Sequence, residues 1–461
     1  MNSANVKQVS QSFIKPKYNV QNSKEPYYLA PMDLSMLSLQ YIQQGLMFLK
    51  PLHFSNGQVF SIYKFLETLK DSLSQTLVHF YPLAGRLVTH IDENRHESVI
   101  FVDCVKGPGA RFIHATAQDL TISHVLDPVS NDIPSVVHSF FDHNEAVNHD
   151  GHDQPLLSVR VTELIDGVFI GCSMNHTILD GTSYWHFMNV WSEIHNNNNN
   201  YNKGSDKSVL NSHLPVHNRW FPDGYGPIVT LPYTDHYEFI SKYEESGNCE
   251  KMFKFSSRAV ARLKAQARNE SGNNQISSLQ ALTALVWRTI VRSKPGLTHD
   301  HLLKCVFVGN YRPRLNPKLP ENYFGNCTGA IECKVTVKEM VERDLGWVAS
   351  LLNQAVGNHN DSSFRESIKA WLNSPSVFQA ANLFDSNSLT ITHSPRFDMY
   401  GNEFGLGKAV AVRSGYGYKF GGVVAAYPGF HGEGSIDLEI CLPLNTMTAL
   451  QSDEEFMNVV S

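Results

Sequence analysis

The clearest pattern of apolar and polar positions in this chain is an alternation that ends close to residue 176. Between residues 168 and 174 every second position is apolar: Val168, Ile170, Cys172 and Met174. This period of two predicts a strand, and residues 157–164 alternate in the same way. Because residues 165–167 between the runs are typical of a turn, we expect a hairpin. His176 continues the parity of the second strand, which predicts that its imidazole lies on the apolar face.

A helix is expected directly after this histidine. Its buried stripe consists of apolar residues at helical spacing: Tyr184, Phe187, Met188, Trp191 and Ile194. Thr182 or Ser183 can cap the helix, which is expected to end near residue 194. In the turn before it, Asp180 can lock the backbone and Gly181 can supply a backbone angle barred to other residues. Strand, turn and helix thus hold a histidine on rigid elements, as catalysis requires.

Other periodic segments predict helices and strands that do not alternate regularly. Helices are expected at 64–80, at 256–267 with Ser256 or Ser257 as the cap, and at 277–291. Strands are expected at 87–90, 98–102, 252–255 and 303–308. Because a βαβ rhythm is missing, the predicted fold class is α/β with mixed sheets that are flanked by helices.

A polar bridge separates two regions of similar class. The chain has 461 residues, which leaves room for two or three domains of roughly 150 residues each. Asparagines at 196–200 begin a low-complexity stretch that cannot form a packed core. We therefore interpret about 195–245 as a surface crossover. Its portion at 220–227 is rich in turn residues and aromatics and is expected to pack on a domain.

Composition and charge exclude several classes of protein. Hydrophobic residues make up 42% and charged residues 18%, and 38 basic against 44 acidic residues give a net charge of −6. Nucleic acid and anionic membranes are therefore not expected as partners. The N-terminus lacks the apolar core of a signal peptide, and no stretch approaches the ~18 apolar residues of a membrane span. We expect a cytoplasmic protein.

Neither cysteines nor histidines predict a metal site. The seven cysteines are scattered without Cys-x-x-Cys spacing, which is typical of reduced thiols. One segment has the composition of a metal site: His138, Asp142, His143, His149, Asp150, His152 and Asp153. Its spacings match no standard zinc pattern, so no bound metal is expected.

Five motifs, taken in order, resemble those of the plant BAHD family of acyl-CoA-dependent acyltransferases. They are YPLAGR at 81–86, HTILDG at 176–181, NYRPRLNP at 310–317, LPENYFGN at 319–326 and EFGLGK at 403–408. The second matches the family motif HxxxDG, and the last occupies the position of the family motif DFGWG. The resemblance covers nearly the whole chain. GTSYWHF at 181–187 and RWFPDGYGPI at 219–228 are most similar to a branch of uncharacterised acetyltransferases and "enhanced Pseudomonas susceptibility"-like proteins.

The resemblance implies two domains of the chloramphenicol-acetyltransferase type, with a channel between them and His176 at its centre. Residues 1–195 would form the first domain and receive about 397–420, residues 196–245 would form the crossover, and residues 246–461 the second domain. Acyl-CoA would enter from one face as co-substrate, without a permanently bound cofactor. A hydroxylated small molecule, a plant specialised metabolite, would enter from the other. The protein is expected to be a monomer.

The mechanism that the resemblance implies needs one base. His176 would take the proton of the acceptor hydroxyl as the oxygen attacks the thioester, in a ternary complex without an acyl-enzyme. An imidazole suits this task because its ordinary pKa of about 6.5 leaves it mostly neutral near pH 7. Asp180 would instead turn away and pair with an arginine, Arg312 or, as second choice, Arg314. Thr392 would be a hydrogen-bond donor to the oxyanion, against the alternative of an ordinary strand threonine.

Two further sets of residues concern the binding of coenzyme A and the late motif. The candidates for contact with coenzyme A are Ser256, Ser257, Lys264 and Arg396. A helix N-terminus with serines suits a phosphate, although plain capping and a solvated lysine explain the same residues. The late motif keeps three family residues and changes two: Phe404, Gly405 and Gly407 remain, whereas Glu403 replaces Asp and Leu406 replaces Trp. These changes affect local packing or the coenzyme A loop more than the reaction.

Three alternatives stay open. The same fold could transfer the acyl group to an amine, or it could serve as a catalytically weak binding or regulatory protein, as the changes at Glu403 and Leu406 suggest. A lyase that uses the channel without coenzyme A is the third. A condensation domain of peptide synthesis is disfavoured because Asn175 occupies the position of its second histidine.

Overall fold

The structure of the protein is a computed structural model that describes residues 6–53, 57, 59–126, 132–201, 210–241, 247–294, 296–384 and 387–461. The strands are β1 (Lys7–Ile14), β2 (Tyr27–Tyr28), β3 (Ile42–Leu49), β4 (Arg86–Asp92), β5 (Glu97–Asp103), β6 (Ala110–Ala117), β7 (Leu157–Leu164), β8 (Gly167–Met174), β9 (Asn248–Phe255), β10 (Leu302–Asn310), β11 (Thr328–Thr336), β12 (Ser388–Thr392), β13 (Ala411–Ser414), β14 (Val423–Pro428) and β15 (Ile436–Pro443).

The helices surround these strands. They are α1 (Pro31–Leu34), α2 (Ile62–His79), α3 (Ile122–Val125), α4 (Gly181–Tyr201), α5 (Ser257–Ser271), α6 (Ser278–Ser293), α7 (Val337–Glu342), α8 (Leu345–Asn358), α9 (Asp361–Asn373), α10 (Ala380–Leu383), α11 (Leu444–Ser452) and α12 (Glu454–Met457). Within the described ranges, none of them combines the length and apolar character that a bilayer crossing requires.

The first six-stranded sheet contains the hairpin that the alternation predicted. Its strand order is β1-β6-β7-β8-β3-β13. Strands β7 and β8 pair antiparallel from Leu157 opposite Met174 to Glu163 opposite Val168. Every residue of β8 is buried, so both faces of this strand are covered and the strand is a rigid support for the turn that follows it.

The second six-stranded sheet has the order β11-β10-β12-β14-β15-β9. Strands β10, β12 and β14 run parallel, whereas the other pairs are antiparallel. Helices α5, α6 and α8 pack with one another and with this sheet, where they bury a separate apolar core around Trp287 and Leu285. Both large sheets are therefore mixed and flanked by helices, as the sequence predicted.

One strand crosses from the late part of the chain into the first sheet. Ala411–Ser414 pairs antiparallel with β3, with Ala411 opposite Met47 and Ser414 opposite Gln44. It lies inside the interval 397–420 that was expected to join the first domain. The domain boundaries themselves stay a prediction.

Most periodic segments form the predicted elements, and one does not end where expected. Helices α2, α5 and α6 and strands β4, β5, β9 and β10 coincide with the predicted segments within a few residues. Helix α4, however, runs to Tyr201 rather than ending near residue 194. Its first turns are anchored by the buried stripe, and asparagine lowers helix stability by only about 0.7 kcal/mol per residue, so the polar run continues the helix.

Candidate active site

His176 lies in the turn between β8 and α4. The strand ends at Met174, and residues 176–178 form a turn. The strand therefore ends before His176, and the orientation of its side chain towards the apolar face of β8 stays a prediction. The turn is held by Asn148: the backbone N–H of His176 donates to Asn148 Oδ1 at 2.6 Å, and Asn175 Nδ2 donates to Asn148 O at 2.7 Å.

The imidazole of His176 is mostly buried and lies beside residues of the second half of the chain. The ring of Tyr418 approaches it edge-on, with 6.4 Å between the ring centroids. Burial lowers the pKa of His176, and the charge of Asp180 offsets only part of this effect. The imidazole is therefore neutral near pH 7, which is the form that can accept a proton.

Asp180 is fully occupied by other partners. Arg312 Nη1 donates to its Oδ2 at 2.7 Å and Arg312 Nη2 to its Oδ1 at 3.0 Å. The backbone N–H groups of Ser183 and Cys327 donate to the same two oxygens at 3.0 Å each. Burial alone would raise the pKa of Asp180, but the charge and hydrogen bonds of Arg312 lower it. The carboxylate is thus a charged brace between two parts of the chain.

Arg312 is the arginine that meets Asp180. Its side chain is 1% exposed, and Nη2 also donates to the carbonyl oxygens of Tyr323 and Gly325 at 3.1 and 2.8 Å. Arg314, the second choice from the sequence, lies elsewhere and donates to the carbonyl oxygens of Val356 and His359. The loop after β10 therefore locks the turn that carries His176.

Two details of this turn differ from the sequence expectations. Asp180, rather than Thr182 or Ser183, caps α4, because its Oδ1 accepts from Ser183 N. Gly181 is the first helical residue and has no positive φ. A Cβ built on it would meet Phe397 at 3.5 Å, an ordinary contact. The idea that Gly181 supplies a backbone angle barred to other residues is therefore wrong.

A second buried carboxylate supports the same turn, and sequence reasoning missed it. Asp33 Oδ1 accepts from both Asn326 N at 3.0 Å and Asn326 Nδ2 at 2.9 Å. Asn326 Nδ2 in turn donates to the carbonyl oxygen of His176 at 2.7 Å. Asp33 is a lone acid inside the apolar run of residues 27–39, and this signal could have identified it.

Arg219 of the crossover lies against this second carboxylate. Its Nε is 3.6 Å from Asp33 Oδ2, its Nη1 donates to Phe324 O at 2.7 Å, and its guanidinium stacks on Tyr27 at 4.5 Å from the ring centroid. Burial raises the pKa of Asp33, and the charge of Arg219 offsets only part of the effect. The crossover segment is thus fixed next to the His176 turn.

Thr392 lies at the end of β12, beside a histidine that the sequence reasoning did not use. Thr392 Oγ1 is 3.0 Å from Nδ1 of His393 and 3.4 Å from the carbonyl oxygen of Val424. The Nε2 of His393 contacts Nε2 of Gln44 on β3. Gln44 lies opposite Cys172 of β8, the strand that leads into the His176 turn.

A buried group of charged side chains surrounds Lys419. Lys419 Nζ forms an ion pair with Glu250 Oε2 at 2.7 Å, donates to Ser414 Oγ at 2.7 Å, and also contacts Glu439 Oε1. Ser414 belongs to the first sheet, whereas Glu250 and Glu439 belong to the second. The group therefore ties the two sheets together beside the site.

The candidate contacts for coenzyme A lie together only in part. Ser256 caps α5, with its Oγ accepting from Ala259 N at 3.3 Å, which agrees with the plain capping alternative. Ser257 is exposed, and a Cβ on Gly434 would lie 3.4 Å from its Cβ. Lys264 is partly exposed and Arg396 is exposed, and no contact joins either of them to the serines.

A cleft lies close to Ser257. Its polar and aromatic lining includes Lys254, Tyr400, Arg413, Tyr427, Phe430 and Asp437. Lys254 in this lining lies two residues before Ser256, the cap of α5, so the cleft lies near the start of this helix.

The late motif is a packing element of the first half of the chain. Phe404 is fully buried with a φ of 46°, lies 4.8 Å from Trp191 between ring centroids, and donates its N–H to Ser192 Oγ at 3.2 Å. Gly405 and Gly407 adopt positive φ. Glu403 is exposed and Leu406 packs on the first core. Both departures from the family motif are therefore accommodated locally.

The histidine-rich segment serves packing and hydrogen bonding. His138 Nε2 is 2.9 Å from Glu250 Oε1, and His152 Nε2 is 2.7 Å from Thr89 Oγ1. Across the part of the chain that the structure describes, no three side chains of the metal-binding types are arranged to hold an ion.

Known proteins match the chain over its whole length. The transferase family matches residues 4–457. The chain belongs to this family, the BAHD acyltransferases. An uncharacterised acetyltransferase of Arabidopsis thaliana is 32% identical over 98% of this chain and 99% of its own length. The protein Enhanced Pseudomonas Susceptibility 1 of the same plant is 34% identical over 98% of both chains.

A solved structure shares the fold of this BAHD acyltransferase. The TRI101 protein of F. graminearum, crystallised with coenzyme A and deoxynivalenol, superposes with a TM-score of 0.73 over 95% of this chain and 99% of its own, at 15% identity. The predicted α/β fold with two acyltransferase domains is confirmed, as are the acyltransferase activity class and the branch of the family.

Proposed function

We propose that this BAHD acyltransferase transfers an acyl group from a coenzyme A thioester to a hydroxyl of a small plant metabolite, with His176 as the general base. The observation that carries the proposal is the difference between the surroundings of His176 and those of Asp180 in the turn. The imidazole is neutral and lies beside residues of both halves, whereas every oxygen of Asp180 is already bonded.

The geometry favours a lone base over a triad. A triad acid must accept a hydrogen bond from the imidazole, but both oxygens of Asp180 accept two bonds each, from Arg312 and from backbone N–H groups. Asp180 therefore orients His176 and takes no part in the proton transfer. Gly181 and Arg312 belong to the same support.

The reaction then proceeds in one ternary complex. His176 takes the hydroxyl proton as the oxygen attacks the thioester carbonyl, and the tetrahedral oxyanion accepts a hydrogen bond from Thr392. The carbon–sulfur bond breaks, and the thiolate of coenzyme A receives the proton from the imidazolium. Coenzyme A in the TRI101 structure supports this donor. The cleft beside Ser257 is where we expect the pantetheine arm, with Lys264 and Arg396 as further candidate contacts.

A hydroxyl is the better acceptor on chemical grounds. An alcohol is a weak nucleophile until a base removes its proton, whereas a neutral amine attacks first and loses its proton afterwards. The lowered pKa of His176 provides such a base at neutral pH. N-acylation would use the same residues, and a panel of alcohols and amines separates the two acceptors.

The decisive experiment follows thiol release. Purified protein is incubated with acetyl-CoA, branched short-chain acyl-CoAs and aromatic acyl-CoAs, each with a panel of hydroxylated plant metabolites and amines. We expect turnover that depends on both substrates and that falls by about 10²–10⁴-fold in His176→Ala. His186→Ala, on α4 outside the turn, is the matched control and is expected to keep turnover.

Other outcomes identify the alternatives. No thiol release with any donor would mean a binding or regulatory member of the fold, although the packing of Phe404 and Leu406 gives no reason for such a loss. Product formation without a donor would mean a lyase. We also propose a monomeric, cytoplasmic enzyme, which sedimentation and localisation of a tagged full-length chain in plant cells would test.

A further inference from the structure

A row of three polar side chains crosses from the first sheet to the second and ends at Thr392. Gln44 lies on β3 and contacts His393 through Nε2 of each residue. His393 follows β12, and its Nδ1 is 3.0 Å from Thr392 Oγ1. Gln44 lies opposite Cys172, two residues before the end of β8, so the row begins beside the strand that leads into the His176 turn.

The orientation of the Gln44 amide in the structure sets the direction of this row. Gln44 Nε2 can only donate, so Nε2 of His393 must accept. A neutral imidazole that accepts at Nε2 carries its proton at Nδ1, and this N–H donates to Thr392 Oγ1. The hydroxyl hydrogen of Thr392 then remains for another acceptor. In the structure it faces Val424 O at 3.4 Å, which is a long and weak hydrogen bond.

His393 is kept in place and kept neutral. Its φ of 63° is a left-handed conformation that residues other than glycine rarely adopt, and such a conformation persists where the surroundings hold it. Burial lowers the pKa of His393 to about 4; Glu439 raises it, whereas Lys419 and His176 lower it. The ring of Tyr427 lies 5.6 Å away between centroids. Near pH 7 the imidazole is therefore uncharged.

We propose that Gln44 and His393 are positioning residues that aim the Thr392 hydroxyl at the oxyanion of the tetrahedral intermediate. The inference rests on the proposed function, in which Thr392 is the oxyanion donor. Three donors that point the same way polarise one another, which strengthens the last of them. As negative charge develops, the hydroxyl turns from the weakly bonded Val424 O to the oxyanion. No proton is transferred between the residues of the row.

The substitution Gln44→Glu reverses the row without changing its shape. A carboxylate at this position can only accept, so His393 must carry its proton at Nε2. Its Nδ1 then accepts the Thr392 hydrogen and withdraws it from the oxyanion. We expect kcat to fall by about 100-fold, as for the loss of one oxyanion donor, while KM for the acyl donor stays unchanged. Gln44→Met removes the donor without adding an acceptor, and its loss is expected to be smaller.

Substitutions at the end of the row test its connection to the oxyanion. Thr392→Val is expected to lower kcat by about the same factor as Gln44→Glu. The double variant should be no worse than Thr392→Val alone, because both changes remove one hydrogen bond. Thr390→Val, the same exchange two residues earlier on β12, is the matched control and should keep kcat.

A measurement without turnover tests the row independently. Nitrogen-15 NMR of histidine-labelled protein should show His393 protonated at Nδ1 in the wild type and at Nε2 in Gln44→Glu. A wild type protonated at Nε2, or a Gln44→Glu variant with full kcat while Thr392→Val loses it, overturns the inference and leaves the proposed function standing. A wild type without turnover for any donor overturns the proposed function itself and with it the oxyanion role of the row.

Discussion

Two buried aspartate–arginine pairs support the turn of His176, and they differ in kind. Asp180 and Arg312 form two short hydrogen bonds of 2.7 and 3.0 Å, and every oxygen of Asp180 is bonded. Asp33 and Arg219 approach only to 3.6 Å, and Arg219 donates mainly to a backbone carbonyl. Accordingly, the pKa of Asp180 is lowered, whereas that of Asp33 is raised.

The difference shows that two buried charges of the same types can have different tasks. A tight pair with all partners in place is costly to break, because removal of one member leaves a buried charge alone. In the loose pair, burial raises the pKa of Asp33, and its carboxyl works mainly as a hydrogen-bond acceptor for Asn326. The first pair therefore fixes the turn, and the second adjusts the carbonyl of His176 through the amide of Asn326.

The largest expected effect comes from Arg312→Met. This change leaves Asp180 charged and unpaired in the interior, which should lower the free energy of unfolding by about 3–5 kcal/mol and abolish turnover. Urea unfolding followed by tryptophan fluorescence measures it. Arg314→Met, two residues away on the same loop, loses hydrogen bonds to carbonyl oxygens and a contact with the Tyr311 ring, and should cost about 1 kcal/mol. Equal losses in both variants would contradict the assignment of Arg312 as the brace.

Asp33→Asn should have a smaller effect. The amide keeps the shape and one acceptor oxygen for Asn326, so we expect a loss of about 1–2 kcal/mol in the free energy of unfolding. Because Asn326 holds the His176 carbonyl, kcat should fall more than KM rises. Steady-state kinetics beside urea unfolding would separate these effects, and a change in stability without a change in kcat would limit Asp33 to a packing role.

The two carboxylates should respond to pH with opposite signs. Asp180 has a lowered pKa, so its contribution to stability is present above the unfolded value of about 3.9 and is lost as the pH falls through its folded pKa. Asp33 has a raised pKa, so its contribution is present below about 3.9 and is lost as the pH rises through its folded pKa.

Urea unfolding from about pH 3 to about pH 7 tests this contrast. The stability difference between the wild type and Asp180→Asn should shrink towards acid, and the difference between the wild type and Asp33→Asn should change in the opposite direction. Parallel curves for the two variants would show that the pairs are alike.

The smallest expected effect is at a glycine. Gly181→Ala places a methyl group at an ordinary 3.5 Å from Phe397 and adds helix propensity at the first turn, so stability should change by less than about 1 kcal/mol. Gly325→Ala is its counterpart, because the new Cβ would lie 1.8 Å from Arg219 Nη1. Thermal unfolding of both variants compares them, and a severe loss in Gly181→Ala would restore the special backbone role once assigned to it.

Local periodicity predicted the elements, whereas long-range pairing decided the site. The hairpin of β7 and β8 and helices α2, α5 and α6 follow from apolar spacing because their burial pattern is set by neighbours in sequence. The partners of His176 lie far from it along the chain: Asn326 is 150 residues away, and Tyr418 is farther still. No period encodes such contacts, so Asp33 and Gln44 were missed, while the resemblance to a family supplied Arg312.

The return of β13 to the first sheet also governs how the chain can be made. Strand β3 is finished early in synthesis, yet its outer edge pairs with residues 411–414 near the end of the chain. Until the ribosome has added nearly nine-tenths of the 461 residues, this edge has no partner and is open to other chains. A nascent chain therefore needs protection until its last part emerges, and a cut between the halves would produce an N-terminal fragment that aggregates rather than an independent domain.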